Sequence, residues 1–218
     1  MIKCAVLGLV CVVGPAGANI VAGQVDTFDA DTMGWNNTFG QTTTFWSNSG
    51  GPGGAADPYM TIQTNGSPSG PGSRLGSWNG VQWAGDYSGQ GITTVQVDMA
   101  GFVGPGADIR LFFLSNSGSQ FTTIESQFVP TDGVWRTYTF DISEAAMVRT
   151  GGTPDYAVSF IDIGRMHLRH QPGEPGGLGI PPAYDGRIGV DNIRAIPATP
   201  AAGVLAMALL GCSSRRRR

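Results

Sequence analysis

Four aromatic residues in the first half of the chain stand among small polar neighbours: Trp46, Trp78, Trp83 and Tyr87. Rings beside Asn, Ser and Gly can lie against the apolar face of a sugar while amides and hydroxyls at the rim bond its edge. These four are the expected ligand-binding residues, and polysaccharide is the expected ligand. Packing over loop ends is the competing role of each. Trp35, after Gly34, and Trp135, at a strand start, read as core. Catalytic chemistry has little to work with. Outside the two ends the only glutamates are Glu125, Glu144 and Glu174, without the paired spacing a glycosidase needs. There is no Gly-x-Ser-x-Gly elbow and no phosphate-cradling loop with its lysine and hydroxyl. His167 and His170 are three apart, so on a strand they face opposite ways and cannot share a zinc ion. They read as solvated polar residues. The chain is expected not to be an enzyme.

The elements that must position these groups read as strands. Residues 95–99 alternate Val-Gln-Val-Asp-Met, and residues 109–114 are a denser apolar run, as in a strand buried on both faces. Residues 121–129 hold Phe121, Ile124 and Phe128 among threonines. After the Asp132-Gly133 turn, Trp135, Thr137, Thr139 and Asp141 share one face, and Arg136, Tyr138, Phe140 and Ile142 the other. Residues 156–163 and 186–196 complete the set. Only residues 143–149 hint at a helical turn. Gly-Pro loops separate the strands, and the expected fold is all-β, an antiparallel β-sandwich of the jelly-roll kind.

Charge narrows the partners. Setting aside Lys3 and the four terminal arginines leaves eight of the 13 basic residues against all 16 acidic ones, a net charge of −8. An acidic body without a basic cluster argues against nucleic acid. The three cysteines, Cys4, Cys11 and Cys212, all lie near the ends, so the body has no disulfide.

The order Thr27-Phe28-Asp29, Gly34-Trp35, the run at 133–141 and Val190-Asp191-Asn192-Ile193 resembles jelly-roll modules of the galactose-binding-like type, which include many carbohydrate-binding modules. The resemblance covers about residues 25–196. It implies that the first and last strands lie side by side, and that acidic groups near both ends hold a structural calcium. Asp29 and Asp191 are then its candidate ligands, against turn capping as their plain role. Calcium takes six to eight hard oxygens, and a body without disulfides gains from tying its ends together.

Both ends read as addresses. Residues 1–18 have one lysine, a short apolar run and Ala16-Gly17-Ala18, the layout of a secretory signal peptide cut before Asn19. Val10 before Cys11 departs from the small residue a lipoprotein signal needs. At the other end Pro197-Ala198-Thr199-Pro200 precedes a twelve-residue apolar stretch, then Arg215, Arg216, Arg217 and Arg218. As a helix that stretch spans about 18 Å, against a hydrocarbon core of about 30 Å. Residues 197–218 resemble the PEP-CTERM family of bacterial sorting tails, although Pro-Ala-Thr-Pro lacks the glutamate of Pro-Glu-Pro. The resemblance implies export to the cell surface, envelope or matrix and an exosortase-like membrane enzyme as partner. A tail anchor with positive-inside arginines is the alternative. The expected domains are a signal peptide at 1–18, a β-sandwich at 19–196 and a sorting or anchoring tail at 197–218. Carbohydrate binding and a structural or adhesive role without a small-molecule site compete as functions. A glycosidase or lyase would require a cleft holding two carboxylates.

Overall fold

Side chains two apart share one fate along the central strands. Val95, Val97 and Met99 are fully buried, and Tyr138 and Phe140 are buried while Thr137 and Thr139 are exposed. That period of two is the mark of a strand with one face on a core. The computed structural model describes residues 19–37, 43–64, 75–178 and 183–199. Among them the strands are β1 (Val25–Asp26), β2 (Asn36–Asn37), β3 (Thr43–Ser47), β4 (Tyr59–Gln63), β5 (Gly76–Asn79), β6 (Ile92–Val103), β7 (Ala107–Ser115), β8 (Gln120–Thr123), β9 (Gln127–Val129), β10 (Arg136–Asp141), β11 (Met147–Gly151), β12 (Ile163–His170) and β13 (Arg187–Pro197). All pair antiparallel in two sheets. One runs β10-β6-β13-β4-β3 with β1 added on β13; the other runs β11-β8-β7-β12-β5-β2 with β9 added on β7. The expected all-β antiparallel sandwich is therefore the fold. First and last strands do lie side by side, with Val25 opposite Arg194 and Asp26 opposite Ile193.

One local expectation fails for an identifiable reason and another narrows. Residues 156–163 do not begin a strand: Asp155 caps a single helical turn, α1 (Tyr156–Ser159), by accepting the Val158 N–H at 3.0 Å. The strand lies later, at β12, and contains His167 and Arg169. The helical hint at 143–149 shrinks to a 3-10 turn, Glu144–Ala146, before β11 begins. Pro197 also belongs to the body. It ends β13 opposite Ile92, where a missing N–H costs no ladder bond, and the next residue, Ala198, donates to Gly91 O at 2.8 Å. Residues 1–18, Pro200 and Arg215, Arg216, Arg217 and Arg218 lie outside the described residues. Among the described residues no helix is long and apolar enough to cross a membrane.

A buried carboxylate ties the start of the chain to the core. Asp26 is 2% exposed, and its Oδ2 accepts the indole N–H of Trp35 and of Trp83, each at 2.7 Å, and the amide of Gln82 at 3.2 Å. The Tyr87 hydroxyl donates to Trp83 O at 2.9 Å. Trp83 and Tyr87 are fully buried, which corrects their expected role: with no ring face at the surface, neither can stack on a sugar. Burial raises the Asp26 pKa above its usual 3.8, and the three donors oppose that rise. Asp26→Ala leaves two indole donors unpaired inside the core. Denaturant unfolding is expected to show a loss of roughly 2–5 kcal/mol. Asp26→Asn, which keeps an acceptor oxygen, is expected to lose less. A loss under about 1 kcal/mol for the alanine variant would remove the clamp from the account.

Candidate ligand-binding face

On β12, Met166 and Leu168 point into the core, so Arg165, His167 and Arg169 share the outer face of the second sheet. Register extends that face sideways. His167 lies opposite Trp78 of β5 on one flank and Phe112 of β7 on the other; Trp78 faces Asn36, and Phe112 faces Thr122, which faces Val148. One row thus crosses six strands. At its centre Trp78 and His167 have ring centroids 6.3 Å apart, and His167 meets Phe112 edge-on at 5.1 Å. The Arg165 guanidinium sits 5.2 Å over the Trp78 ring and that of Arg169 4.2 Å over Phe112, within cation–π range.

A strap of backbone, residues 171–178, is tied onto this sheet. Arg110 donates to Gln171 O, Gly173 O, Thr123 O and Ile124 O. Arg169 Nη2 donates to Gln171 Oε1 at 2.7 Å and Gly176 O at 2.5 Å, and Thr122 donates to Gly176 O at 2.9 Å. Outer side chains of this sheet are buried: Phe112 is 0% exposed, His167 2% and Arg169 4%. Trp78 and Arg165 are half-buried.

Three nitrogens in one line along β12 have no hydrogen-bond partner: Arg165 Nε, His167 Nε2 and Arg169 Nε. An unsatisfied buried donor or acceptor costs about 1–3 kcal/mol, so three on alternate residues of one strand require a reason. Burial, then the charges of Arg165 and Arg169, pushes the His167 pKa well below 6.5, leaving the ring neutral at pH 7. Burial, then the charge of Arg110, lowers Arg169 to about 10, still cationic at pH 7. The face thus holds a half-buried indole, a buried neutral imidazole and two cationic guanidinium groups whose Nε is buried without a partner.

The residues expected at a binding surface do not meet there together. Trp78 does. Trp46, 38% exposed, sits on the edge strand of the other sheet with its N–H on Phe28 O at 2.7 Å. His167 and His170 face opposite ways as expected, but the solvated reading is wrong for both. His170, 6% exposed, accepts the Asp108 N–H at 3.0 Å and packs on Tyr184 at 4.5 Å. Sequence reasoning missed Arg165, His167, Arg169 and Phe112 as a set. The available signal was the alternation of residues 165–169, Arg-Met-His-Leu-Arg, concealed by placing the strand several residues early.

Asp191 lies on the outer face of the first sheet, and Asp29, in the bend after β1, accepts the Thr27 hydroxyl at 2.6 Å and is close enough to act on the charge of Asp191. Asp191, 2% exposed, lies directly opposite Asp98, and its Oδ1 accepts the Asn192 N–H at 2.7 Å. Asp98 accepts Thr137, Asn192 and, at 3.5 Å, Arg194. No cation pairs with Asp191 among the described residues. Burial, then the charges of Asp57, Asp98 and Asp29, pushes its pKa up to about 7. Hard oxygens with uncompensated negative charge suit calcium. Among the described residues no three His, Cys, Asp or Glu side chains converge as a metal cage, so backbone carbonyls would have to complete the shell.

A cleft of about 240 Å³ near the end of β10 holds Glu125 and Asp141, both exposed. Asp141 Oδ1 accepts the Ser143 N–H at 2.8 Å. A glycosidase acid keeps its proton through burial, which neither carboxyl has.

No protein-family model and no curated protein matches the chain. Solved structures do match in fold. A family 11 carbohydrate-binding module from Clostridium thermocellum, in complex with a β-1,3-1,4-mixed-linked tetrasaccharide, is 17% identical with a TM-score of 0.55, covering 83% of this chain and 99% of that one. The family 11 module of the cellulosomal cellulase Lic26A-Cel5E of the same organism is 15% identical with a TM-score of 0.53, over 84% and 98%. An exo-β-agarase is 14% identical with a TM-score of 0.55 over 82% of this chain, which spans 25% of that one. At such identities the likeness is one of fold, the sandwich of these modules.

The depressed His167 pKa has a thermodynamic sign. Above the unfolded value near 6.5 the ring is neutral in both states and its stabilising effect is complete. Below it the unfolded chain takes up a proton that the folded one refuses, so stability falls. Burial also lowers His170, adding the same sign. As pH falls below about 6.5 the melting temperature of His167→Gln is expected to rise relative to that of the unchanged protein; the raised pKa values of Asp191 and Asp26 act with the opposite sign, but equally in both. Equal slopes for the two proteins would show that His167 does not carry the effect.

Proposed function

We propose that this chain is a non-catalytic polysaccharide-binding module whose ligand lies along the outer face of the second sheet, against Trp78. The single observation that carries this is the line of unpartnered nitrogens on β12 beside a half-buried indole. A sugar supplies what that line lacks, hydroxyl oxygens that both accept and donate, while its apolar face covers the ring. Fold likeness to carbohydrate-binding modules supports the same reading.

The test is a glycan-array screen of the full chain, followed by calorimetric titration of the best polysaccharide. Trp78→Ala is expected to weaken binding by about 2 kcal/mol or more, as a central aromatic anchor does. Trp46→Ala, on the other sheet, is expected to leave affinity unchanged. Full affinity in Trp78→Ala, with an unaltered melting curve, would move the site elsewhere.

Calcium at Asp191, with Asp29 nearby, belongs to the same proposal in a structural capacity. It is supported by the uncompensated charge where Asp191 of β13 faces Asp98 of β6. Chelator is expected to lower the melting temperature of calcium-loaded protein by several degrees. At a hundredfold excess of calcium over Kd the stabilisation is about 2.7 kcal/mol. Asp191→Asn is expected to abolish the sensitivity, and an unchanged melting curve with chelator would return both aspartates to turn capping.

A further inference from the structure

The outer face of the second sheet gathers arginines in a protein that is acidic as a whole. Three of the eight arginines between residues 19 and 196, Arg110, Arg165 and Arg169, lie on it. Their situations differ. Arg110 spends its guanidinium on four backbone carbonyls, fastening the strap, with Asp108, Glu125 and Glu174 close enough to act on its charge. Arg165 and Arg169 have no carboxylate within ion-pair distance among the described residues, and each keeps its Nε unpartnered. On the first sheet Arg136 forks onto Asp132 at 2.7 and 2.9 Å and Arg194 reaches Asp98 at 3.5 Å, while Arg187, over Phe102, also keeps its Nε unpartnered.

From this we infer that the polymer bound on the face is an anionic glycan, whose carboxylate or sulfate groups meet Arg165 and Arg169 while His167 bonds a hydroxyl between them. The inference rests on the sugar-binding reading above and sharpens it to a substrate class. A neutral glycan would satisfy the imidazole and leave two cationic forks facing only hydroxyls. A carboxylate or sulfate oxygen accepts from a guanidinium in a charge-assisted bond about twice as strong as a neutral one. Arg165 and Arg169 stand four residues apart on an extended strand, about 13 Å between Cα atoms. One acidic group cannot serve both, so the pattern fits a repeating anionic chain laid along β12. Both guanidinium groups are already braced, Arg165 over Trp78 and Arg169 over Phe112, so less rotamer freedom remains to be lost on binding.

The decisive experiment titrates the full chain with paired polymers: a polyuronate and its carboxyl-reduced form, and a sulfated galactan and its desulfated form. The charged member of at least one pair is expected to bind about tenfold tighter or more, the worth of one charge-assisted bond, and to weaken as salt rises. Which pair responds separates carboxylate from sulfate. Arg165→Gln is expected to bring the charged-to-neutral ratio toward one and Arg165→Lys to restore part of it. Arg136→Gln, on the other sheet, is expected to leave the ratio unchanged. Equal binding of charged and neutral members overturns the anionic inference while leaving the sugar face intact. Binding to none of the four polymers, nor to any glycan on the array, overturns the sugar-binding reading and this inference with it. A ratio that drops equally in Arg136→Gln marks a diffuse charge effect and also overturns it.

Discussion

The Asp26 carboxylate, closed off from water between two indole N–H groups, is the constraint through which the rest of the sandwich is set. A lone buried carboxylate is costly, and accepting from Trp35, Trp83 and Gln82 offsets that cost only if all three donors are held in place. Asp26 pairs with Ile193 of β13, so the clamp joins the central strand of one sheet to the segment that follows β5 of the other. Trp83 passes the constraint on. Its carbonyl takes the Tyr87 hydroxyl, and Tyr87 packs against Phe113 and Phe160 at 5.4 and 6.0 Å. Gly85 and Ile163 exchange backbone hydrogen bonds at 2.7 and 3.0 Å where β12 begins. A chain of contacts thus runs from the Asp26 carboxylate to the start of β12, just ahead of the register shift between Ile163 and Arg165.

The two outer faces divide the charge. One carries Asp98 opposite Asp191 with Arg194 as the nearby cation, and the other carries Arg110 among acids and Arg165 and Arg169 without an ion pair among the described residues. Net charge is a poor guide to such a molecule. At physiological salt a charge is screened over about 8 Å, so an anionic group seated on β12 responds mainly to the guanidinium it touches and little to acids across the sandwich. An acidic body argues against a nucleic-acid partner that needs many phosphate contacts. It does not argue against a polymer that needs two well-placed ones.

Most of the architecture was legible in the sequence, and the site mostly was not. Alternation marked Val95, Val97 and Met99 and the inward pair Tyr138 and Phe140, because a half-buried strand leaves its period in the residue types. The dense run at 109–114 was rightly read as buried on both faces: Leu111 belongs to the core, and Phe112 is covered from outside by Arg169. Tryptophan roles were not legible. Trp78 and Trp83 have similar neighbours in sequence, and only the position of Asp26 in space makes one of them core. Arg-Met-His-Leu-Arg has a strand's period, yet a polar residue on an outer face looks the same whether water or a strap covers it. Burial of His167 depends on Trp78 and Phe112 arriving from neighbouring strands, long-range contacts with no local signature.

That strap gives the unpartnered nitrogens their meaning. In water a bare outer face would hydrate Arg165, His167 and Arg169 fully, and a ligand would have to displace that water at a cost close to its gain. Covered by the strap and by their own aromatic partners, the same groups lose hydration during folding. The cost, about 1–3 kcal/mol for each unsatisfied group, is met from the stability of the sandwich before any ligand arrives. A sugar oxygen that reaches one of them then replaces nothing, so more of the hydrogen bond is available to affinity. Preorganised donors of this kind discriminate as well as attract. A ligand lacking an acceptor at the right spacing covers the same indole but leaves the nitrogens as they were, and the difference between the two ligands is the full worth of the missing bonds.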